Sequence, residues 1–170
     1  MSNTQYAVCH LQRGSGNDSG MSCHIERKDA NGKKYIPVNA DANRTQLNRE
    51  LIAFPAGVKN RTDAIQFRII HAGLHRKVGK NQCKAIRIIL TGTHEQMMKI
   101  QDSGRLDKWT DANLKWLRET FGEDNLVSCV LHMDEKTPHL HATVVPIVTT
   151  ERLRKKREGE KKYETKSGPR

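Results

Sequence analysis

The sequence predicts an α+β fold in which helices flank an antiparallel β-sheet. Two observations support this: apolar, β-branched runs alternate with segments of helical periodicity, and the two clearest apolar runs are close in sequence. These runs, at residues 126–131 and 139–147, are separated by a polar stretch that ends in Pro138, as expected of a hairpin loop. We expect the helices on one side of the sheet and the functional side chains of the hairpin on the other.

The other predicted strands precede this hairpin. Residues 6–12 alternate weakly between apolar and polar side chains and predict a first strand. Residues 84–90 (KAIRIIL) predict a second through their β-branched content. Between them, residues 13–22 are rich in Gly and Ser and predict a loop, and residues 22–27 predict either a first helical turn or a short extended piece.

Three further segments predict helices. Residues 62–75 repeat apolar side chains at helical spacing, with Thr62 or Asp63 as the cap. A capping-box pattern begins a short helix at Thr93. Residues 110–121 form the third, which a glycine ends.

The charge of the chain indicates which class of partner it binds. Its 170 residues suit one domain, and the formal net charge of +11 is unusual for a metabolic enzyme and favours a polyanionic partner, nucleic acid first. Only 5% of the residues are aromatic, so phosphate contacts rather than base stacking should dominate affinity. Four cysteines without a C-x-x-C pair, and no apolar run of roughly 18 residues, predict a cytoplasmic protein.

The apolar pattern stops near residue 150. Residues 151–170 hold nine basic and four acidic side chains, which predicts a solvated charged segment with a helix as one option. We therefore predict a catalytic domain at residues 1–150, followed by the start of a continuation in a longer protein.

Three histidines around the hairpin loop predict a metal site. His139 and His141 share a face because side chains alternate along a strand, and His132 lies opposite His139 if the strands pair antiparallel. Three converging imidazoles suit a divalent metal such as Zn, Ni or Mn. The alternative is a hairpin with an incidental run of histidines.

The stretch from His132 to Pro146 reads H-x-D-E-x-x-P-H-x-H-x-x-x-V-P and resembles the third motif of the Mob/Pre (MobV) family of plasmid mobilisation relaxases. This family lies within the HUH endonuclease superfamily. Residues 24–27 (HIER) resemble its H-x-x-R motif, and residues 46–51 resemble an Asn-containing segment. The resemblance covers residues 5–148 and implies an HUH relaxase-like two-layer sandwich.

The resemblance also implies an activity. Such a relaxase nicks one DNA strand at a transfer origin and stays attached to the 5′ phosphate. It implies Mn²⁺ at the three histidines, with Mg²⁺ as the alternative, and DNA as the partner, with transfer-machinery proteins as further candidates. Two rival functions stay open: a hydrolytic nuclease without a covalent adduct, and a non-catalytic DNA-binding module on the same scaffold.

Site roles follow from the same motifs. The resemblance points to His24 as the nucleophile, with Tyr35 as its rival and a mere phosphate contact as the alternative role. Arg27 would clamp the phosphate. Glu135 would orient a histidine or act as general base, and Asp134 is a weaker candidate for the same work. The predicted DNA-binding side chains are those of Arg27, Asn48, Arg68, Arg76, Lys77, Arg154 and Lys155.

Overall fold

The computed structural model describes residues 7–15, 19–155 and 161–169, with side chains through residue 148. Five strands form one antiparallel sheet: β1 (Ala7–Gly14), β2 (Arg49–Glu50), β3 (Ala85–Gly92), β4 (Leu126–His132) and β5 (His139–Val144). Their spatial order is β1-β3-β5-β4-β2, so the β4–β5 hairpin occupies the middle of the sheet. The flanking helices are α1 (Ser19–Glu26), α2 (Arg61–Ile70), α3 (His94–Asp102) and α4 (Leu106–Phe121).

One face of this sheet is apolar and packs against α4. Leu114 and Leu117 of the helix join Ile88, Leu131 and Leu140 of the strands in the larger buried cluster. These helical leucines recur at a spacing of three, which places them on one side of α4 and buries them against the strands. Gly122 ends the helix with a φ of 93°, a conformation that glycine adopts without steric cost.

The opposite face is covered as well, which corrects the expectation that all helices lie on one side. Ile65 of α2 packs with Ala85 and Val127 in a second buried cluster. The Arg61 side chain, fully buried at the start of α2, donates through Nε to the Thr143 hydroxyl of β5 at 2.6 Å. The predicted antiparallel sheet with flanking helices is confirmed, but helices flank both faces.

Several element boundaries differ from prediction. Helix α1 begins at Ser19, inside the predicted loop. Helix α2 is capped by Asn60, whose side chain accepts from the Asp63 backbone, and it ends at Ile70 rather than at residue 75. Gly73, with a φ of 63°, lies in the segment where helix was predicted to continue. Helix α4 starts four residues before the predicted position, whereas the Thr93 cap of α3 is confirmed.

The charged C-terminal segment contains strands, whereas the sequence offered a helix as one possibility. Strands β6 (Ile147–Lys155) and β7 (Lys161–Pro169) pair antiparallel in a separate two-stranded sheet. The domain boundary predicted after residue 150 therefore falls inside β6. Among the described residues, no helix is both long and apolar enough to cross a membrane.

Candidate active site

Three histidines converge at the end of the β4–β5 hairpin. His132 pairs directly with His139, as the predicted register requires. The ring centroids lie 5.2 Å apart for His132 and His139, 4.8 Å for His132 and His141, and 4.9 Å for His139 and His141. The hairpin therefore brings the three rings together on one face of the sheet.

Backbone carbonyls fix the tautomers of two of these rings. His132 Nε2 donates to the Ile25 carbonyl and His139 Nδ1 donates to the Thr137 carbonyl, each at 2.8 Å. Because a carbonyl oxygen only accepts, each bonded ring nitrogen carries the proton. In a neutral ring the other nitrogen then keeps its lone pair, which is the arrangement that metal-ligating histidines use.

Burial favours the uncharged form of His139 and His141. Desolvation, reinforced by neighbouring imidazoles, lowers the pKa of His141 to about 2. Desolvation also lowers the pKa of His139. A metal binds the neutral imidazole, so these residues are held in the ligand form at neutral pH.

The donor set fits a divalent metal. Ligand atoms of His132, Glu135 and His139 lie within 4.8 Å of one another, and so do those of His24, His132 and His141. Glu135 Oε1 lies 3.7 Å from His132 Nδ1 and 3.9 Å from His139 Nε2, the two nitrogens that keep lone pairs. Imidazole nitrogens next to a carboxylate suit Mn, Zn or Ni better than Mg, which prefers oxygen.

Helix α1 brings His24 to this cluster. The residue lies in the last turn of α1, and its ring centroid is 5.5 Å from that of His141 and 5.9 Å from that of His132. Its Nε2 is 3.5 Å from Glu135 Oε1. Burial, followed by the positive charge of Arg27, lowers the pKa of His24, so the ring is neutral and nucleophilic near pH 7.

Arg27 binds both carboxylates and also reaches the His132 ring, with Nη2 3.3 Å from Nδ1. Its guanidinium donates from Nε and Nη2 to both Asp134 oxygens at 2.9 and 2.8 Å, from Nη2 to Glu135 Oε1 at 2.7 Å, and from Nη1 to the His24 carbonyl. The side chain is 5% exposed. Its backbone has a φ of 54°, the one positive value among non-glycine residues in the described ranges. Arg27 therefore does not continue α1, and its contacts identify it as a residue that positions the carboxylates.

Both carboxylates stay ionised because of these contacts. Burial would raise the pKa of Glu135, but the adjacent His132 and Arg27 side chains outweigh it and lower the pKa to about 2. Burial opposes ionisation of Asp134 too, yet Arg27 and Asn48 hold its pKa well below the ordinary value. The site thus contains two fixed negative charges beside one buried guanidinium.

A polar segment at residues 39–44, for which the sequence predicts no role, supports the loop between β4 and β5. Asn39 Nδ2 donates to Glu135 Oε2 at 2.7 Å, and Arg44 Nη2 donates to the Glu135 carbonyl at 3.0 Å. The Asp41 backbone donates to the Asp134 carbonyl at 2.7 Å. No local pattern distinguishes these residues from an ordinary polar loop, so only the fold reveals their role.

The predicted DNA-binding residues lie in different places. Asn48 accepts from the Met133 backbone at 2.7 Å and so holds the loop between β4 and β5. Arg68 Nε donates to Asn125 Oδ1 at 3.1 Å, next to the start of β4 and therefore at the end of that strand opposite His132. Arg76 and Lys77 are exposed beyond α2.

The remaining candidates are two basic residues of β6 and the rival nucleophile. Arg154 and Lys155 end β6, but their side chains lie outside the described part. Tyr35, the rival nucleophile, donates its backbone N–H to the Arg27 carbonyl at 2.8 Å, and its side chain is 42% exposed. The DNA-binding roles of all these residues stay predictions.

The chain is similar to the proteins of one family. The sequence model of the Mob_Pre family, described as plasmid recombination enzyme, matches residues 1–167. Plasmid recombination enzyme type 3 of Staphylococcus aureus is 30% identical over 139 residues, which are 81% of this chain and 32% of that protein. The plasmid recombination enzyme of Lactiplantibacillus plantarum is 27% identical over 138 residues, 81% of this chain and 37% of that protein. The chain thus spans about a third of the length of these relatives.

A solved structure has the same fold. The Mn-bound relaxase domain of MobM, in complex with 22 nucleotides of plasmid pMV158 oriT DNA, superposes with a TM-score of 0.69. It is 22% identical, and the match covers 83% of this chain and 70% of that domain. The likeness confirms the predicted fold class.

Proposed function

Because this chain belongs to the plasmid recombination enzyme (Mob_Pre) family, we propose that its residues 1–150 act as a relaxase domain. The reaction is a nick in one DNA strand at a transfer origin that leaves the 5′ phosphate covalently attached to the protein. The observation that carries the proposal is the position of His24: its ring centroid lies 5.5 Å from that of His141 and 5.9 Å from that of His132, and its Nε2 is 3.5 Å from an ionised Glu135.

His24 is the proposed nucleophile. A lone pair on its ring attacks phosphorus, an N–P bond forms, and the P–O3′ bond breaks. The ring loses one proton and the departing 3′ oxygen gains one, so the products are a phosphohistidine and a free 3′ hydroxyl. Phosphodiester bond energy is retained in the N–P bond, so the reverse attack by a 3′ hydroxyl rejoins the strand without another energy source.

Glu135 orients this nucleophile. A carboxylate with a pKa of about 2 is a weak base, which disfavours the general-base alternative. A fixed negative charge next to the ring instead selects the tautomer and stabilises the positive charge that develops on imidazole during attack. Arg27 and Asn39 bind the two oxygens of this carboxylate and so set its orientation.

His132, His139 and His141 would hold the metal, for which we propose Mn²⁺ with Mg²⁺ as the alternative. The relaxase domain of MobM has the same fold and is Mn-bound. When bound, a divalent ion supplies positive charge that polarises the scissile phosphate. The proposal also takes single-stranded or hairpin transfer-origin DNA as the substrate, in keeping with the net charge of +11. It takes transfer-machinery proteins as further partners and the cytoplasm as the location.

The test is adduct formation. The protein is incubated with Mn²⁺ and single-stranded DNA from the transfer region of the element that carries its gene, and products are separated under denaturing conditions. We expect a protein–DNA adduct that maps to His24, is labile in acid, and is lost in His24→Ala. Tyr35→Phe is the matched control and should form the adduct at the wild-type rate.

Other outcomes would replace the proposal. An acid-stable adduct on Tyr35 would keep the relaxase activity but overturn the nucleophile. Cleavage without an adduct would indicate a hydrolytic nuclease. DNA binding without cleavage would indicate a non-catalytic module.

A further inference from the structure

A small cavity of about 170 Å³ opens beside the proposed nucleophile. It is lined by His10, Gln12, Met21, His24, Arg87, Ile89 and His141. We propose that this cavity holds one base of the single strand, in the nucleotide next to the scissile phosphate, and that Gln12 contributes to reading that base. The inference rests on the proposed function and adds a specificity site to it.

Strand register builds the floor of this cavity. His10 of β1 pairs with Ile89 of β3, and Ile89 pairs with His141 of β5. Gln12 pairs with Arg87 two residues along the same strands, so it lies on the same face. The floor is therefore continuous with the metal-ligand face of the sheet.

Helix α1 forms the wall. Met21 precedes His24 by three residues, a spacing that places both side chains on one side of the helix. Because His24 and His141 line both the cavity and the proposed reaction centre, a base in the cavity belongs to a nucleotide adjacent to the phosphate under attack.

The lining chemistry suits a planar base. Met21 and Ile89 offer apolar surfaces for the face of a base, and the imidazole of His10 offers a ring for stacking. The Gln12 amide has a donor group and an acceptor side by side, which match a base edge, and Arg87 adds a positive charge that would attract a backbone phosphate. None of the described lining residues is acidic.

The experiment is an abasic scan. Fluorescein-labelled single-stranded DNA from the transfer region is prepared as a series, each with one abasic site, and binding is followed by anisotropy in EDTA so that nicking does not interfere. For the wild-type protein we expect one position next to the nick where the abasic site weakens binding about tenfold, as the loss of one well-formed base contact does. For Gln12→Ala, intact DNA should already bind several-fold more weakly, and the further loss at that position should shrink by the same factor, since only the stacking contacts of the base remain to be lost.

Leu11→Ala is the matched control, since Leu11 is the exposed neighbour of Gln12 on the opposite face of β1. It should reproduce the wild-type profile. The proposal is overturned if Gln12→Ala keeps the wild-type position dependence, or if no position in the wild-type scan is sensitive. Failure of adduct formation with a persisting sensitive position would reject the proposed nicking function and leave the base site intact.

Discussion

At the β4–β5 hairpin, the two faces of the central sheet share the same strands but have opposite chemistry. Leu131 and Leu140 point into the apolar cluster under α4, whereas their neighbours His132 and His141 point to the other face, the histidine face. Both faces are buried there, yet the side under α4 is held by non-directional burial of apolar area and the histidines on the other side by hydrogen bonds of fixed geometry. Apolar clusters under α4 and α2 stabilise the sheet, and that stability holds in place polar groups that would repel one another or lose hydration on their own.

This division has an energetic cost. Three imidazoles within about 5 Å, next to two ionised carboxylates, give little apolar burial to the fold. Arg27 compensates for the buried negative charge of Asp134 through two hydrogen bonds. The polar face is therefore stable only as a complete network, and the following predictions separate its role from that of the apolar face.

The largest effect on folding should come from the apolar face. Leu117 is fully buried, and Leu117→Ala should lower the free energy of unfolding by about 2–5 kcal/mol because a cavity replaces the lost side chain. Urea denaturation measures the change, with Leu47→Ala at a half-exposed position as the control. The rate of adduct formation per folded molecule should stay at the wild-type value, and a large fall in that rate would show that the two faces are not separable.

The metal face should show the converse pattern. His139→Ala should weaken Mn²⁺ binding by at least about a hundredfold, because it removes one ligand nitrogen from the predicted site. Titration calorimetry measures the affinity, and His71→Ala, at an exposed histidine beyond α2, is the control. Unchanged Mn²⁺ affinity in His139→Ala would reject the ligand set.

Loss of the hydrogen bond from Asn39 to Glu135 should have a smaller effect on activity. Asn39→Ala removes the donor to Oε2, and we expect adduct formation to slow about tenfold because the carboxylate is less well oriented. The melting temperature should change little, since Asn39 is exposed. Asn31→Ala is the control. There the backbone N–H, which the substitution keeps, donates to the Asp29 side chain and closes a turn. Equal rates for the two variants would reject the role of Asn39.

The smallest effect concerns acid stability of the metal-free protein. The pKa of Glu135 is lower in the folded state than its ordinary 4.5, so its contribution to stability is present above pH 4.5 and is lost as the pH falls towards about 2. Asp134 acts in the same direction. Denaturant titrations across this range, in EDTA, should give a shallower decline for Glu135→Gln than for the wild type, and parallel curves would contradict the assignment.

Sequence reasoning succeeded where a local pattern mirrors a physical requirement. The spacing of His139 and His141, the polar loop and the apolar flanks predicted the hairpin and its register, because alternation in a strand has a period of two. It did not find the carboxylate contacts of Arg27, whose phosphate clamp stays a prediction. A left-handed backbone after α1 turns this side chain towards Asp134, and no local signal announces that turn.

The family, the antiparallel class of the sheet and the three histidines that meet on it could therefore be predicted from the amino-acid sequence, since each depends on short-range periodicity and motif spacing. Three features follow only from how the chain packs: α1 places His24 against this cluster, helices cover both faces, and Arg27 and Asn39 bind the two oxygens of Glu135. These contacts join residues about a hundred positions apart, and they depend on how loops and helices pack rather than on any pattern within a single segment.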